Sequence, residues 1–194
     1  MSRSVLLIQG HPDPGQGHFC DALAAAYRDG AVAAGHSVEE LAVAELNFPW
    51  LRNAEEFEKQ PPPADIAASQ AAIDAADLLV FVYPLWLGDM PAILKAFLEQ
   101  TFRPGFVTES GQGMDTLGAR RLKGKSARII VSMGMPAPFY RLFYRAHSVK
   151  SFRRNILKFC GLSPVRITLI GGNGGNTVQR ERWMQRLKSL GASG

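Results

Sequence analysis

The chain predicts an α/β protein: a three-layer α/β/α sandwich on a five-stranded parallel sheet of order 2-1-3-4-5. Three observations predict it. Short contiguous apolar runs at 4–9, 78–83, 127–132 and 165–170, with a more polar one at 37–43, suit strands of a largely covered sheet. Between them lie segments whose apolar residues recur at helical spacing, and strand–helix alternation is the mark of parallel crossover units. Loops rich in glycine and proline follow the strands, and the switch point of this order falls between strands one and three. No internal repeat or domain boundary is visible, so residues 1–194 read as one domain.

Each element has its own justification. Val5, Leu6, Leu7 and Ile8 make the first strand; the helix after it carries Phe19, Leu23, Ala26 and Tyr27 and is expected to stop near Gly30 or Gly35. Residues 37–43 suit a sheet edge, 45–63 with their three consecutive prolines a surface excursion, and 64–76 an alanine-rich helix. The run 78–83 reads as the central strand, ended by Pro84. In the helix after Pro91, Ile93, Leu94, Phe97, Leu98 and Phe102 share a stripe, while Lys95, Glu99 and Arg103 are expected to face outward. A long connection with Gly105, Gly111, Gly113 and Gly118 leads to the fourth strand. The segment 139–161 places Leu142, Phe143, Val149, Phe152, Ile156 and Phe159 on one stripe and is expected to break near His147, with Ser148 or Ser151 as a fresh cap. The fifth strand, the turn 171–175 and a helix over 177–190 complete the chain.

Composition excludes several classes. Hydrophobic residues make up 46% and charged residues 20% of the 194, ordinary for a soluble globular protein. No apolar run approaches the ~18 residues of a membrane span, so no membrane insertion is expected. The first nine residues are too few for a signal peptide and read as a strand, so the cytoplasm is the expected location. Cys20 and Cys160 are too few for a disulfide framework or a cysteine metal site, and buried free thiols are expected. The net charge of +5 comes mostly from 120–128 and 141–158 and lacks the stripe of cations and stacking aromatics that nucleic acid requires.

The chemistry is expected at the strand ends. Gly10-His11-Pro12-Asp13-Pro14-Gly15-Gln16-Gly17 opens the first helix, where backbone N–H groups and the helix dipole favour an anion. It is not the dinucleotide fingerprint, because Cys20 holds the third glycine position. Gly118 to Ser126 ends in Gly-Lys-Ser, but five residues separate its glycines and a strand follows, so it is no phosphate loop. The loops at Pro84–Gly88 and at Ser132-Met133-Gly134-Met135 emerge at the same sheet edge, where Trp86 could stack on a flat ring and the amides near Gly134 could meet its polar atoms.

The run Tyr83-Pro84-Leu85-Trp86-Leu87-Gly88-Asp89-Met90-Pro91-Ala92-Ile93-Leu94-Lys95-Ala96-Phe97 resembles the loop and helix of the NAD(P)H:quinone oxidoreductase family of flavodoxin-like flavoproteins. His11-Pro12 with Phe19 resembles that family's first phosphate-binding loop, and Phe159-Cys160-Gly161 the end of its fourth helix. The resemblance implies that His11, Gln16, Gly17, His18 and Phe19 surround a flavin phosphate. It sets Pro84, Leu85, Trp86, Leu87 and Gly88 along the isoalloxazine and Ser132, Met133, Gly134 and Met135 on its other edge. The chain departs from the family in two places: His18 stands where a Ser or Thr is usual, and Ser132-Met133-Gly134 replaces a Thr-Thr-Gly-like loop. The family's substrate pocket carries a Tyr and a His, for which Tyr140 and His147 are the candidates, with Tyr144 nearby.

By this resemblance the chain is expected to be a flavin-dependent NAD(P)H oxidoreductase, using FMN or alternatively FAD and reducing quinone-like acceptors by a ping-pong cycle. The flavin would accept hydride and pass two electrons onward. A homodimer is expected, with 102–107 and 139–144 as interface material. Two other readings stand beside it: a flavin-binding ancillary subunit of a membrane transporter, and a non-catalytic flavodoxin-like interaction module.

Overall fold

The computed structural model describes residues 2–15, 17–107, 121–172 and 176–194. Gln16, much of the long glycine-containing connection (Gly111, Gly113 and Gly118 included), the start of the Gly-Lys-Ser segment and most of the 171–175 turn lie outside the described residues.

Five parallel strands form the sheet: β1 (Ser4–Gln9), β2 (Ser37–Ala42), β3 (Leu78–Pro84), β4 (Ser126–Met133) and β5 (Val165–Gly171), in the order β2-β1-β3-β4-β5. The order is the expected one. Ile8 pairs with Leu41 on one side and Phe81 on the other, and Phe81 pairs with Ile129. β3 and β4 are buried at every position, which is why their sequences are continuously apolar instead of alternating. β2 is mostly exposed and half-buried, as an edge strand with Glu39 and Glu40 should be.

Helices α1 (Phe19–Ala33) and α7 (Thr177–Ala192) cover one face. The other carries α3 (Ala64–Ala75), α4 (Ala92–Thr101), α5 (Ala137–Leu142) and α6 (His147–Ser151), with α6 running into a π-helical turn at Phe152–Leu157. A short α2 (Ala54–Glu58) decorates the surface excursion. Alternate strand residues meet the helices in two cores: Leu7 and Val80 against Leu23, Tyr27 and Leu187 on the first face, and Leu6, Ile8 and Phe81 against Phe97 and Phe152 on the second.

Of the two expected stops of α1, Gly35 is the one used: the helix runs through Gly30 and ends at Ala33, and Gly35 carries the positive φ of +84°. Gly30 is there for contact, since a Cβ would sit 2.0 Å from the Lys188 carbonyl oxygen on α7. Two expectations are corrected. First, Arg103 is 5% exposed: past the end of α4 the chain turns inward, and its guanidinium donates to Gln100 Oε1 at 3.3 Å and to the Gln60 carbonyl. Second, Leu142 and Phe143 are 80% and 69% exposed and do not share the buried stripe of Val149 and Phe152. The break that separates them sits at Arg145 and Ala146, both with left-handed backbones, and Ala146 precedes α6 in place of a serine cap.

Candidate active site at the carboxyl edge of the sheet

The loops after β1, β3 and β4 are tied together. Gly10 donates its N–H to the Val82 carbonyl at 2.8 Å, and Leu85 donates to the Ser132 carbonyl at 2.8 Å. Pro84, with no N–H to give, is the last paired residue of β3, opposite Ser132. Cys20 Sγ lies 3.2 Å from Ser132 Oγ and fastens α1 to β4; both residues are buried. Burial pushes the Cys20 thiol up to about 11 and the Cys160 thiol up to about 12, so neither is a nucleophile at neutral pH.

The first loop ends where α1 begins. Gly17 has φ +98° and nothing within 4 Å of where a Cβ would project. His18 is the N-cap and donates its own N–H to Asp21 Oδ2 at 3.0 Å. Of the first-turn amides, Asp21 donates back to the His18 carbonyl at 3.1 Å, so Phe19 and Cys20 are the helical donors that can serve an anion. The His11 and His18 rings stack at 4.0 Å between centroids. Asp13 binds His18 Nε2 at 2.9 Å and accepts the Gly15 N–H at 2.8 Å. The Gly15 amide above all, with His18 and His11 in support, holds the Asp13 carboxyl below its usual range against the opposing effect of desolvation. Sequence reasoning missed Asp13, although Pro-Asp-Pro-Gly is an Asx-turn signal. Phe19 is half-buried under the Arg180 guanidinium, 5.2 Å from its ring centroid.

At the other end, Trp86 and Asp89 exchange backbone hydrogen bonds of 2.9 Å around a two-residue turn. Leu87 (φ 48°) and Gly88 (φ 82°) are both left-handed, as a primed hairpin turn demands. The turn lifts Trp86, 51% exposed, and the fully exposed Leu87 off the sheet edge, and His11 meets the Trp86 ring edge-on at 6.0 Å. In the third loop Met133 is buried, Met135 half-buried and Gly134 exposed; the Met135 carbonyl accepts the Gly172 N–H at 3.2 Å. Pro84 is buried and Leu85 half-buried beneath the turn. A groove of about 580 Å³ runs from His11, Gly17 and His18 along α1 to Arg28 and Glu40.

Tyr140 and His147 lie beyond the third loop, in α5 and at the start of α6. Tyr140 is 1% exposed and its hydroxyl is hydrogen-bonded to Ser148 Oγ at 2.7 Å. His147 is exposed at the start of α6, three residues beyond the exposed Tyr144. Among the described residues no cluster of side chains could hold a metal ion.

This is a doubly wound α/β protein with a preformed ligand edge at its topological switch point. The chain belongs to the flavodoxin-like fold family, whose model matches residues 3–192. It is 31% identical over 133 residues to a Haemophilus influenzae protein named "Uncharacterized NAD(P)H oxidoreductase", covering 66% of this chain and 63% of the relative. It is 27% identical over 145 residues to the mouse ribosyldihydronicotinamide dehydrogenase [quinone], covering 70% of this chain and 62% of the relative. The matched part is thus less than two-thirds of the length of these relatives. Among solved structures, an NAD(P)H:quinone oxidoreductase from Methanothermobacter marburgensis superposes with a TM-score of 0.83 at 25% identity, covering 100% of this chain and 97% of that one.

Proposed function

We propose that the protein is a flavin-dependent NAD(P)H oxidoreductase that passes a hydride's two electrons to quinone-like acceptors. What carries this reading is one arrangement: three strand-end loops locked to one another, with the Gly17 cradle and helix amino terminus at one end and the raised Trp86 turn at the other. The names of the similar oxidoreductases support it.

FMN is the flavin we propose, with FAD the alternative. A single phosphate suits the amides of Gly17, Phe19 and Cys20 with the His11 and His18 rings beside them, and Asp13 is already occupied by His18 and the Gly15 amide. The ring would lie against Trp86 and Leu87, with Ser132 to Met135 on its other edge. Bound there, the flavin supplies the two-electron chemistry. The chain's own part would be orientation: backbone amides of the Gly88 and Gly134 turns would face developing negative charge, and Trp86 and Leu87 would exclude water from one side. No side chain among the described loops is placed as an obligatory acid or base. Donor and acceptor would use the same exposed edge, so they bind in turn, and initial-rate plots should be parallel. The exposed apolar group Phe139, Phe143 and Tyr144 supports a symmetric homodimer, with Tyr144 and His147 near the acceptor.

The test is titration of the purified protein with FMN and with FAD, followed by NAD(P)H-dependent reduction of a soluble benzoquinone. One FMN per subunit and quinone turnover are expected. Failure to bind either flavin at micromolar concentration would remove the reading.

A further inference from the structure

β5 is an edge strand: among the described residues no strand pairs with its outer side. There α5, α6 and α7 surround a cleft of about 800 Å³, within the size range of small-molecule sites. Four cations line it: Arg141, Lys150, Arg153 and Arg186. No carboxylate lines it, and none of the four makes an ion pair among the described residues. The reason is in the sequence, which has no Asp or Glu between Asp115 and Glu181. Like charges gathered in a concave site with low-dielectric walls repel one another and raise the local potential, and an anion entering the site relieves both effects.

The cleft is not merely basic. Ile167, Leu169 and Trp183 give it apolar surface, and the Arg186 guanidinium lies 5.0 Å from the Trp183 ring centroid. Flat apolar contact beside separated guanidinium groups is what a purine nucleotide with more than one phosphate needs. Ala137 and Pro138 also line the cleft, two and three residues past Met135, so it begins beside the loop assigned above to the flavin ring.

We propose that this cleft binds the adenosine 2′,5′-bisphosphate half of a 2′-phosphorylated nicotinamide dinucleotide, and so makes NADPH the preferred donor. The proposal rests on the oxidoreductase reading for its meaning in catalysis, though not for the binding itself. Arg141 and Arg153 meet the 2′-phosphate with their planar donor forks, which match phosphate geometry where a lysine offers only a point charge. Lys150 and Arg186 add charge, and the base lies against Ile167 and Trp183.

Calorimetric titration with adenosine 2′,5′-bisphosphate and with 5′-AMP reads the cleft without any turnover. The bisphosphate should bind at least about tenfold more tightly, the scale of one or two hydrogen bonds to a charged group. Arg141→Ala and Arg153→Ala should each weaken it about fivefold or more, and raise KM for NADPH far more than KM for NADH. Arg154→Ala is the control. It removes the same charge from an exposed neighbour outside the cleft and should change affinity less than about twofold. Equal affinity for the two nucleotides would overturn the proposal, and so would an Arg154→Ala effect as large as that of Arg153→Ala. If the protein takes up no flavin, or oxidises neither donor, the oxidoreductase reading falls, and the calorimetry still decides whether the cleft is a nucleotide site.

Discussion

At position 17 a backbone angle, not a side-chain contact, sets the identity of the residue. With φ at +98° and open space where a Cβ would project, Gly17→Val does not clash with the protein. It forces a β-branched residue into a left-handed backbone at roughly 1–3 kcal/mol, and the loop escapes by turning its amides away. FMN affinity should fall at least about tenfold. Trp86→Ala should behave oppositely. Its side chain is half exposed, so the fold and most of the flavin affinity survive, but turnover of the acceptor drops because a packing contribution of about 1 kcal/mol beyond area is lost from the ring side. Flavin dissociation constants and steady-state rates for the two variants separate the ends of the site; a Gly17→Val protein that still holds flavin tightly would show that the phosphate lies elsewhere. Asp13 gives a pH-dependent counterpart. Its folded pKa is depressed, so its stabilising contribution is present above the unfolded value of about 3.9 and is lost as pH falls through the lower folded value. Asp13→Asn should therefore melt below the parent protein at neutral pH by a small margin, with the gap closing under acid conditions. A gap that stays constant down to about pH 2.5 would mean the carboxylate's charge is not the source.

At the scale of elements, the crossing of α1 and α7 depends on two small residues. A Cβ on Gly30 would meet the Lys188 carbonyl oxygen at 2.0 Å, and one on Gly191 the Tyr27 carbonyl oxygen at 2.0 Å. Both neighbours are backbone, which cannot rotate away. Helix propensity alone would make Gly30→Ala stabilising by up to about 1 kcal/mol, yet overpacking against backbone costs about 1–3 kcal/mol or more, so the steric effect wins. Urea unfolding should show a loss of roughly 1–3 kcal/mol for Gly30→Ala, and a neutral or stabilised variant would mean the helices can separate freely. The same glycine shows what the sequence could not reveal. As local punctuation it reads as a helix stop, and only the partner helix explains why it sits inside α1. The strands were legible because β3 and β4 are covered on both faces and their burial is written residue by residue in apolar runs. Arg103 was not legible, since helical periodicity says nothing about a chain that turns inward just past its last helical residue. Of the site, the Pro84 to Gly88 turn and the Gly10 to Gly17 loop were readable from glycine, proline and aromatic placement. The left-handed backbone at Leu87 was not, because a leucine carries no turn signal.

On the scale of the whole molecule, the cations of the cleft and the exposed aromatics of 139–144 both lie away from β1 and β2. Glu39, Glu40 and Glu45 lie on or beside β2, whereas the cations of α5, α6 and α7 gather beside β5, so an anionic donor is steered to one end of the sheet and its association should slow with added salt. Next to that basic end, Phe139 and Phe143 stack at 5.0 Å and Tyr144 stands edge-on to both, while Phe143 remains 69% exposed. Aromatic rings that pack on one another and still face water lower their exposure further by meeting a second copy, and a twofold axis lets one patch serve both subunits. Sedimentation of the FMN-loaded protein should give a dimer at micromolar concentration. Phe143→Asp should give a 21.2 kDa species, because a carboxylate desolvated at the centre of such a patch opposes association by several kcal/mol while costing an exposed position of the monomer little. Circular dichroism and flavin content distinguish dissociation from misfolding, since neither should change in the variant. If the acceptor binds where the two subunits meet, quinone turnover per bound flavin should fall with the dimer fraction as the parent protein is diluted. Undiminished turnover in a Phe143→Asp monomer would place the acceptor wholly within one chain.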